Sequence, residues 1–189
     1  MDPILIALLL FIALVALYGI PWAIMRRHVK GKSEEARGRS EWLAGVAWFG
    51  ALAVGLYERF VLNWLPFGGW LLALGLVLVV LGIGLRLVCR HTLGRYYLPQ
   101  LKIQPGHRLV TTGPYHYLRH PMYLGSLVWS IGLTLALATI LGTLVMATGM
   151  FLAFSYRIRI EETLLEAEFG EEWRAYAGRT RWRIAPLLF

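Results

Sequence analysis

Long apolar runs, separated by shorter charged stretches, dominate the pattern of the chain. Five runs reach or approach the length of a membrane-spanning helix: Ile4–Met25, Trp42–Leu62, Trp70–Val88, Met122–Leu137 and Leu141–Tyr156. About 20 residues cross the hydrocarbon core of a bilayer, so the first three runs are long enough to span it. The last two are shorter, at about 24 Å of helix each. The pattern predicts an all-α, polytopic bundle of five transmembrane helices.

The last two runs are separated by very few residues. Only Ala138, Thr139 and Ile140 lie between them, too few for a loop, so we expect a tight C-terminal helical hairpin. Glycines recur at seven-residue spacing within the runs, and small residues on one face let membrane helices approach closely. The pairs are Gly75 with Gly82, Gly125 with Gly132, and Gly142 with Gly149.

The distribution of charge predicts the orientation of the bundle. The formal net charge is +8, and the basic residues follow runs one, three and five, while the opposite side offers only Arg59. Arginine and lysine concentrate in cytoplasmic loops, which places the N-terminus outside and the C-terminus inside. The basic excess is therefore a topology signal, and we predict no nucleic-acid partner. With 58% hydrophobic and 16% charged residues, the composition favours lipid over water.

Candidate chemistry begins at the polar section before the fourth run. Pro121 suits the first turn of a helix, which places Arg119 and His120 at its mouth. The free amides and the positive dipole end of such a helix suit a carboxylate. Each residue also has a simpler explanation, because boundary arginines commonly snorkel and histidines commonly make ordinary polar contacts.

The hairpin brings a second polar pair to the same level. Counting helix rise from the turn places Glu161 and Glu162 opposite Arg119. Acidic residues late in a helix oppose its dipole, so they need a partner arginine or a cationic ligand. A salt bridge to Arg157 or Arg159 is the alternative to a ligand.

Two sequence motifs carry a family resemblance. GHRLVTTGPYHYLRHPMYLG at Gly106–Gly125 and EETLLEAEFGEEWRAYAGRTRWRIAP at Glu161–Pro186 resemble the core of the isoprenylcysteine carboxyl methyltransferases. Leu93–Tyr97 resembles the segment that leads into that core. The wider group includes phospholipid N-methyltransferases. The resemblance covers about half of the chain, from His91 onward.

The resemblance implies a site for S-adenosylmethionine in a cytoplasmic pocket capped by the C-terminal segment. It implies one methyltransferase domain over residues 1–189, with a three-helix membrane part at 1–90 and a cofactor-binding and catalytic part at 91–189. It assigns catalysis to Arg119, His120 and Glu162, and no metal site is predicted. The implied cofactor-binding positions are His107, Leu109, Val110, Gly113, Tyr115, Arg119, His120, Pro121, Tyr123, Glu161 and Glu162.

The expected reaction is methyl transfer to a lipophilic acceptor at the membrane, such as a lipophilic small molecule, a prenylated cysteine or a membrane lipid. The resemblance favours carboxyl O-methylation of an isoprenylcysteine-like substrate, and a carboxylate acceptor is already ionised and needs no base. An amine acceptor, as in a phospholipid N-methyltransferase, would need a proton sink, for which His120 is the first candidate. Alternatives of another class are an NADPH-dependent membrane reductase and a non-enzymatic haem-binding protein using His28, His91 or His116.

Overall fold

The computed structural model describes residues 32–66, 69–97 and 108–185, and all regular secondary structure in these ranges is helical. The predicted all-α class is confirmed for this part of the chain. The first predicted span, Ile4–Met25, and the candidate residue His107 lie outside the described residues. The helices are α1 Lys32–Tyr57, α2 Gly69–Leu93, α3 Pro114–Tyr117, α4 Pro121–Ala136, α5 Ile140–Phe169 and α6 Glu171–Arg179. A π-helical turn, Glu58–Leu62, extends α1, and a 3-10 turn, Gly94–Tyr96, extends α2.

Three helical stretches of the described chain are long and apolar enough to cross a membrane. They are Gly38–Leu62, Gly69–Tyr96 and Ile140–Phe169. Helix α4 is equally apolar but has only 16 residues. Large apolar side chains such as Val80 and Leu81 are exposed on α2, as expected for a helix that faces lipid. The count of five spans stays a prediction.

The fifth apolar run is part of a longer helix than the sequence pattern predicts. Helix α5 continues past Tyr156 to Phe169 and comprises 30 residues, so the prediction of a short fifth helix is wrong. The end of an apolar run marks where contact with lipid stops, whereas the glutamates, leucines and alanine that follow still favour a helix. The helix ends at Gly170, which has a positive φ of 51°.

Helix packing follows the glycines. Helix α2 packs along α4 and α1 packs along α5. Helix α4 also packs against α5, to which the turn Leu137–Thr139 connects it. A Cβ atom on Gly82 would lie 2.5 Å from the backbone nitrogen of Trp129. A Cβ atom on Gly132 would lie 2.7 Å from the Gly75 carbonyl oxygen. The predicted close approach at the glycine pairs of α2 and α4 is therefore confirmed.

The main hydrophobic core joins the bundle to the C-terminal segment. Its buried members are Ala51, Leu52, Met146, Met150, Phe154, Ile158 and Ile184. They come from α1, from α5 and from the residues after α6. Burial of Ile184, at 2% exposure, holds the C-terminal segment against the membrane helices and positions the charged residues beside it.

A carboxylate accepts hydrogen bonds from the first backbone amides of α5, at the turn end of the α4–α5 hairpin. Glu58 is 3% exposed, and its two oxygens accept hydrogen bonds from the Ile140 amide at 2.8 Å and the Gly142 amide at 3.1 Å. These are first-turn amides that have no partner within their own helix, and a negative charge suits this end of the helix dipole. No local sequence pattern predicts this cap, because the two amides lie 82 and 84 residues after Glu58 in the chain.

Candidate active site

The start of α4 is held by the C-terminal segment. Pro121 occupies the first turn of α4, as predicted. The Arg119 amide donates to the Trp182 carbonyl oxygen at 2.9 Å, and the His120 amide donates to the Arg183 carbonyl oxygen at 2.8 Å. Both amides precede the first helical residue of α4, and the main chain of the C-terminal segment binds them. The expectation that first-turn amides of α4 are free for a carboxylate ligand stays a prediction.

Glu162 is the centre of an ion-pair cluster. Its Oε1 lies 3.0 Å from Arg119 Nη1 and 3.3 Å from His120 Nε2. Its Oε2 accepts from Arg183 Nε at 2.9 Å, with Arg183 Nη2 at 2.8 Å. The predicted meeting of Arg119 and His120 with the glutamate pair is confirmed, but the arginine partners are Arg119 and Arg183 rather than the arginines considered on α5.

Glu161 points into a different environment. Tyr123 donates its hydroxyl to Glu161 Oε2 at 2.8 Å, and His120 Nδ1 lies 3.9 Å from the same oxygen. Arg157 Nε donates to the Tyr123 hydroxyl at 2.8 Å, and Arg157 Nη1 lies 3.3 Å from Glu41 Oε1. Adjacent helical residues diverge by about 100°. The two glutamates therefore face different partners and share only His120, which lies between them.

A large cavity opens beside this network. Its volume is about 820 Å³, within the usual range for small-molecule sites. The structure brings seven of the predicted residues to its wall: Leu109, Val110, Tyr115, Arg119, His120, Tyr123 and Glu161. Gly113, Pro121 and Glu162 do not line this cavity. Glu162 lines a smaller, charged cavity of about 480 Å³ instead, together with Arg119, Arg159, Glu166, Arg174 and Arg183.

Arg119 lies on the wall shared by the two cavities. Its Nη2 donates to the Arg181 carbonyl oxygen at 3.2 Å, and its Nε is buried without a hydrogen-bond partner among the described residues. Burial lowers the pKa of Arg119, and the neighbouring Glu162 carboxylate opposes that shift. An arginine still keeps its charge. The guanidinium is thus a cation bound through its two Nη atoms, while its Nε has no hydrogen-bond partner among the described residues.

Helices α3 and α6 close another part of the wall. Tyr176 donates its hydroxyl to the Tyr115 carbonyl oxygen at 2.7 Å, and Thr180 Oγ1 donates to the His116 carbonyl oxygen at 3.3 Å. Burial raises the pKa of Tyr176 to about 12. It also raises the pKa of Tyr115, further still. Trp173 is 4% exposed and lines both cavities.

Several residues of the central cavity were not among the predicted site residues. Glu41, Trp48, Arg86, Arg157, Trp173 and Tyr176 line the central cavity without having been predicted as site residues. Arg86 carried a usable signal, because an arginine inside a long apolar helix is rare and commonly functional. Tyr176 lies within the Glu161–Pro186 motif, although no role was predicted for it. Glu41 gave no comparable local signal, since only tertiary packing brings it to the cavity.

The fold and this site define a class: an α-helical membrane protein whose apolar helices enclose a cavity bordered by paired charges. The sequence model of the isoprenylcysteine carboxyl methyltransferase family matches residues 73–167, half of the chain. The chain therefore belongs to this family. The matched part contains most of α2 and both partners of the Arg119–Glu162 pair, but neither α6 nor Arg183.

Curated relatives agree with this assignment. The chain is 36% identical over 112 residues to protein-S-isoprenylcysteine O-methyltransferase B of Arabidopsis thaliana, covering 58% of this chain and 57% of that protein. It is 37% identical over 108 residues to the protein-S-isoprenylcysteine O-methyltransferase of Saccharomyces cerevisiae, covering 56% and 45%. The chain spans about half the length of the curated relatives it matches.

A solved structure of a eukaryotic intramembrane Ras methyltransferase, the isoprenylcysteine carboxyl methyltransferase, shares the fold. The TM-score is 0.59 at 19% sequence identity, and the alignment covers 98% of this chain and 84% of that one. Together with the apolar helices, this likeness identifies a multi-pass membrane protein.

Proposed function

We propose that this protein transfers the methyl group of S-adenosylmethionine to the carboxylate of an isoprenylcysteine-like acceptor at the membrane. The observation that carries the proposal is a cavity of about 820 Å³ between apolar helices, with Glu161, His120 and Arg119 on its wall. The names of the curated relatives favour carboxyl O-methylation over the phospholipid alternative. Family membership leaves the reductase and haem-binding alternatives without support.

The residues around the cavity fit the charges of the proposed cofactor. S-adenosylmethionine carries an ammonium, a carboxylate, a sulfonium and an adenine ring, and when bound it supplies an electrophilic methyl group. Glu161 lines the cavity and, among the described residues, accepts one short hydrogen bond, from Tyr123. It would hold the ammonium. Arg119 lines the cavity as a cation that suits the cofactor's carboxylate, and Leu109 and Val110 offer an apolar surface for the ring.

Glu162 then acts through Arg119. Its oxygens are engaged by Arg119, His120 and Arg183, and it lies on the smaller cavity rather than the central one. We infer that Glu162 is a positioning residue, which holds the guanidinium in place through a charge-assisted hydrogen bond. Held in this way, Arg119 orients its ligand without a further loss of side-chain freedom on binding.

The protein would accelerate methyl transfer largely by positioning the methyl donor and the acceptor. A carboxylate acceptor is ionised at neutral pH, so no residue needs to remove a proton from it. Holding donor and acceptor in one orientation converts a bimolecular step into an intramolecular one. The apolar wall formed by Trp48, Met150 and Phe154 excludes water from the reacting groups. His120 would serve as a proton acceptor only for an amine acceptor.

The placement in the membrane belongs to the same proposal. We infer an outside N-terminus and an active site that faces the cytoplasm, because arginines follow the spans on that side. The C-terminal segment, which binds the start of α4, would cap the cofactor pocket. The central cavity takes lining residues from both the 1–90 part and the 91–189 part, which supports one methyltransferase domain.

Replacement of Arg119 by lysine tests the proposed function. Lysine keeps the charge but loses the planar fork, so Arg119→Lys should weaken S-adenosylmethionine binding by about 10- to 100-fold and lower turnover at limiting cofactor. The measurement is transfer of a radiolabelled methyl group to an S-prenylated cysteine, beside cofactor binding and thermal unfolding in detergent.

The matched control is Arg179→Lys, because Arg179 is an exposed arginine on α6 and does not line the central cavity. It should behave as wild type. Wild-type binding and turnover in Arg119→Lys would contradict the role of Arg119. A wild-type protein that labels phosphatidylethanolamine but no prenylated cysteine would replace the proposed function with lipid N-methylation.

A further inference from the structure

A chain of polar side chains crosses the bundle from α1 to Glu161. Arg157 on α5 lies at its middle, with Nη1 3.3 Å from Glu41 Oε1 on α1 and Nε donating to the Tyr123 hydroxyl on α4 at 2.8 Å. Tyr123 donates in turn to Glu161 Oε2 at 2.8 Å. All four side chains line the central cavity. Because a buried ion pair is weak evidence for stability, the chain calls for a role beyond joining helices.

Donors and acceptors permit one direction along this chain. A guanidinium has N–H donors and no acceptor, so the Tyr123 oxygen accepts from Arg157. The single hydroxyl hydrogen of Tyr123 is then directed to Glu161. Accepting from a cation also polarises the hydroxyl and strengthens the bond that it donates. Glu161 Oε2 is therefore held in place, whereas its Oε1 accepts no hydrogen bond from a described residue.

Glu41 controls which group Arg157 contacts. Arg157 and Glu161 are four residues apart on α5, a spacing at which opposite charges commonly pair. Among the described residues, however, Arg157 forms its ion pair with Glu41 and reaches Glu161 only through Tyr123. A direct pair would occupy the Glu161 carboxylate with a fixed cation. Glu41 thus keeps Glu161 accessible to a cationic ligand in the cavity.

We propose that Arg157 and Glu41 are positioning residues, which act through Tyr123 to present Glu161 to the ammonium of the cofactor. The inference rests on the proposed function and adds α1 to the cofactor site, since Glu41 lies outside the residues 73–167 that the family model matches. The sign of the effect is diagnostic. Arg157 is a cation on the cavity wall, so electrostatics alone predicts that its removal favours a bound ammonium. Positioning predicts the opposite.

Two ligands that differ only in the ammonium test this role. The probes are S-adenosylhomocysteine and its analogue in which hydrogen replaces the α-ammonium, bound to the full chain in detergent. Wild type should bind S-adenosylhomocysteine about tenfold or more tightly than the analogue. Arg157→Gln and Glu41→Gln should each lower this preference about fivefold, while affinity for the analogue stays within about twofold of wild type.

A double-mutant cycle shows whether Arg157 acts through Tyr123 or touches the ligand itself. Tyr123→Phe removes the hydroxyl and keeps the ring that packs on Phe154. It should also lower the preference about fivefold. Adding Arg157→Gln to Tyr123→Phe should change the preference by less than about twofold, because the group through which Arg157 acts is already absent.

Arg174→Gln is the matched control. Arg174 forms ion pairs with Glu166 and Glu171 and does not line the central cavity. Its replacement removes an arginine and its ion pairs without touching the chain that ends at Glu161, so the preference should keep the wild-type value. Thermal unfolding of each variant shows that the comparison is made on folded protein.

A preference that stays at the wild-type value or rises in folded Arg157→Gln would overturn the positioning role. A second fivefold loss on adding Arg157→Gln to Tyr123→Phe would also overturn it, because Arg157 would then contact the ligand directly. If Arg157→Gln does not fold, Glu41→Gln decides: a fivefold loss supports the role and an unchanged preference overturns it.

Wild type itself separates this inference from the proposed function. Equal binding of both probes by a protein that transfers methyl groups would contradict the positioning role and leave the proposed function standing. A wild-type protein that binds neither probe and transfers no methyl group would contradict the proposed function, and the positioning role would fall with it.

Discussion

A carboxylate lies at each end of the α4–α5 hairpin, Glu58 buried and Glu162 largely buried, and the two are satisfied in opposite ways. At the turn end, Glu58 accepts hydrogen bonds from the backbone amides of Ile140 and Gly142. At the open end, Glu162 is bound by the side chains of Arg119 and Arg183. Both carboxylates are largely shielded from water, so burial alone does not distinguish them.

The kind of partner does distinguish the two ends. Backbone amides at a helix start cannot leave without unwinding the helix, so Glu58 stabilises the fold and is committed to that task. Side-chain cations are more adaptable, and Arg119 also lines the cavity proposed to bind the cofactor. A buried charge bound by side chains on a cavity wall is therefore the better sign of a functional site.

The largest expected effect lies at the open end. Glu162→Gln should destabilise the folded protein by about 3 kcal/mol, because Arg119 and Arg183 lose their shared buried counter-charge. Glu161→Gln is the matched variant one residue away. It should reduce S-adenosylmethionine affinity by about 10- to 100-fold with a smaller loss of stability. Thermal unfolding and calorimetric cofactor binding measure the two effects. If Glu162→Gln instead lost cofactor affinity and Glu161→Gln lost stability, the roles assigned to the two glutamates would have to be exchanged.

A smaller effect is expected at the turn end. Glu58→Gln keeps a hydrogen-bond acceptor but loses the charge that faces the helix dipole, so stability should fall by about 1 kcal/mol. Cofactor affinity and turnover per folded molecule should match wild type, because Glu58 does not line the central cavity. A loss of cofactor affinity in folded Glu58→Gln would show that the two ends are not independent.

The smallest effect concerns alkaline pH at the open end. Burial raises the pKa of Tyr176 to about 12, above the usual value near 10, so the folded protein holds this proton more tightly than the unfolded chain. Its stabilising contribution is complete below pH about 10 and is lost as pH rises toward about 12. Tyr176→Phe should cost about 1 kcal/mol at neutral pH, through the lost bond to Tyr115, and should reduce the alkaline loss. Equal alkaline slopes in unfolding curves of both proteins would contradict this assignment.

The part of the site that sequence could predict depends on regular geometry. Helix rise along a hairpin with a minimal turn placed Arg119 opposite the glutamate pair, and the structure confirms the contact with Glu162. Which glutamate faces the central cavity depends on the rotation of α5 about its axis, which counting along the chain does not give. The Glu58 cap and the Arg86–Ser126 bond join residues far apart in sequence, so no local pattern indicates them.

The attachment of the C-terminal segment to the start of α4 uses main-chain atoms at Arg119, His120, Trp182 and Arg183. Main-chain hydrogen bonds do not depend on which side chain is present. Substitution at the exposed positions Arg181 and Trp182 is therefore compatible with unchanged docking, whereas Ile184 is constrained by the core and Arg183 by Glu162. Substitutions at positions 181 and 182 are thus expected to be tolerated more readily than substitutions at 183 and 184.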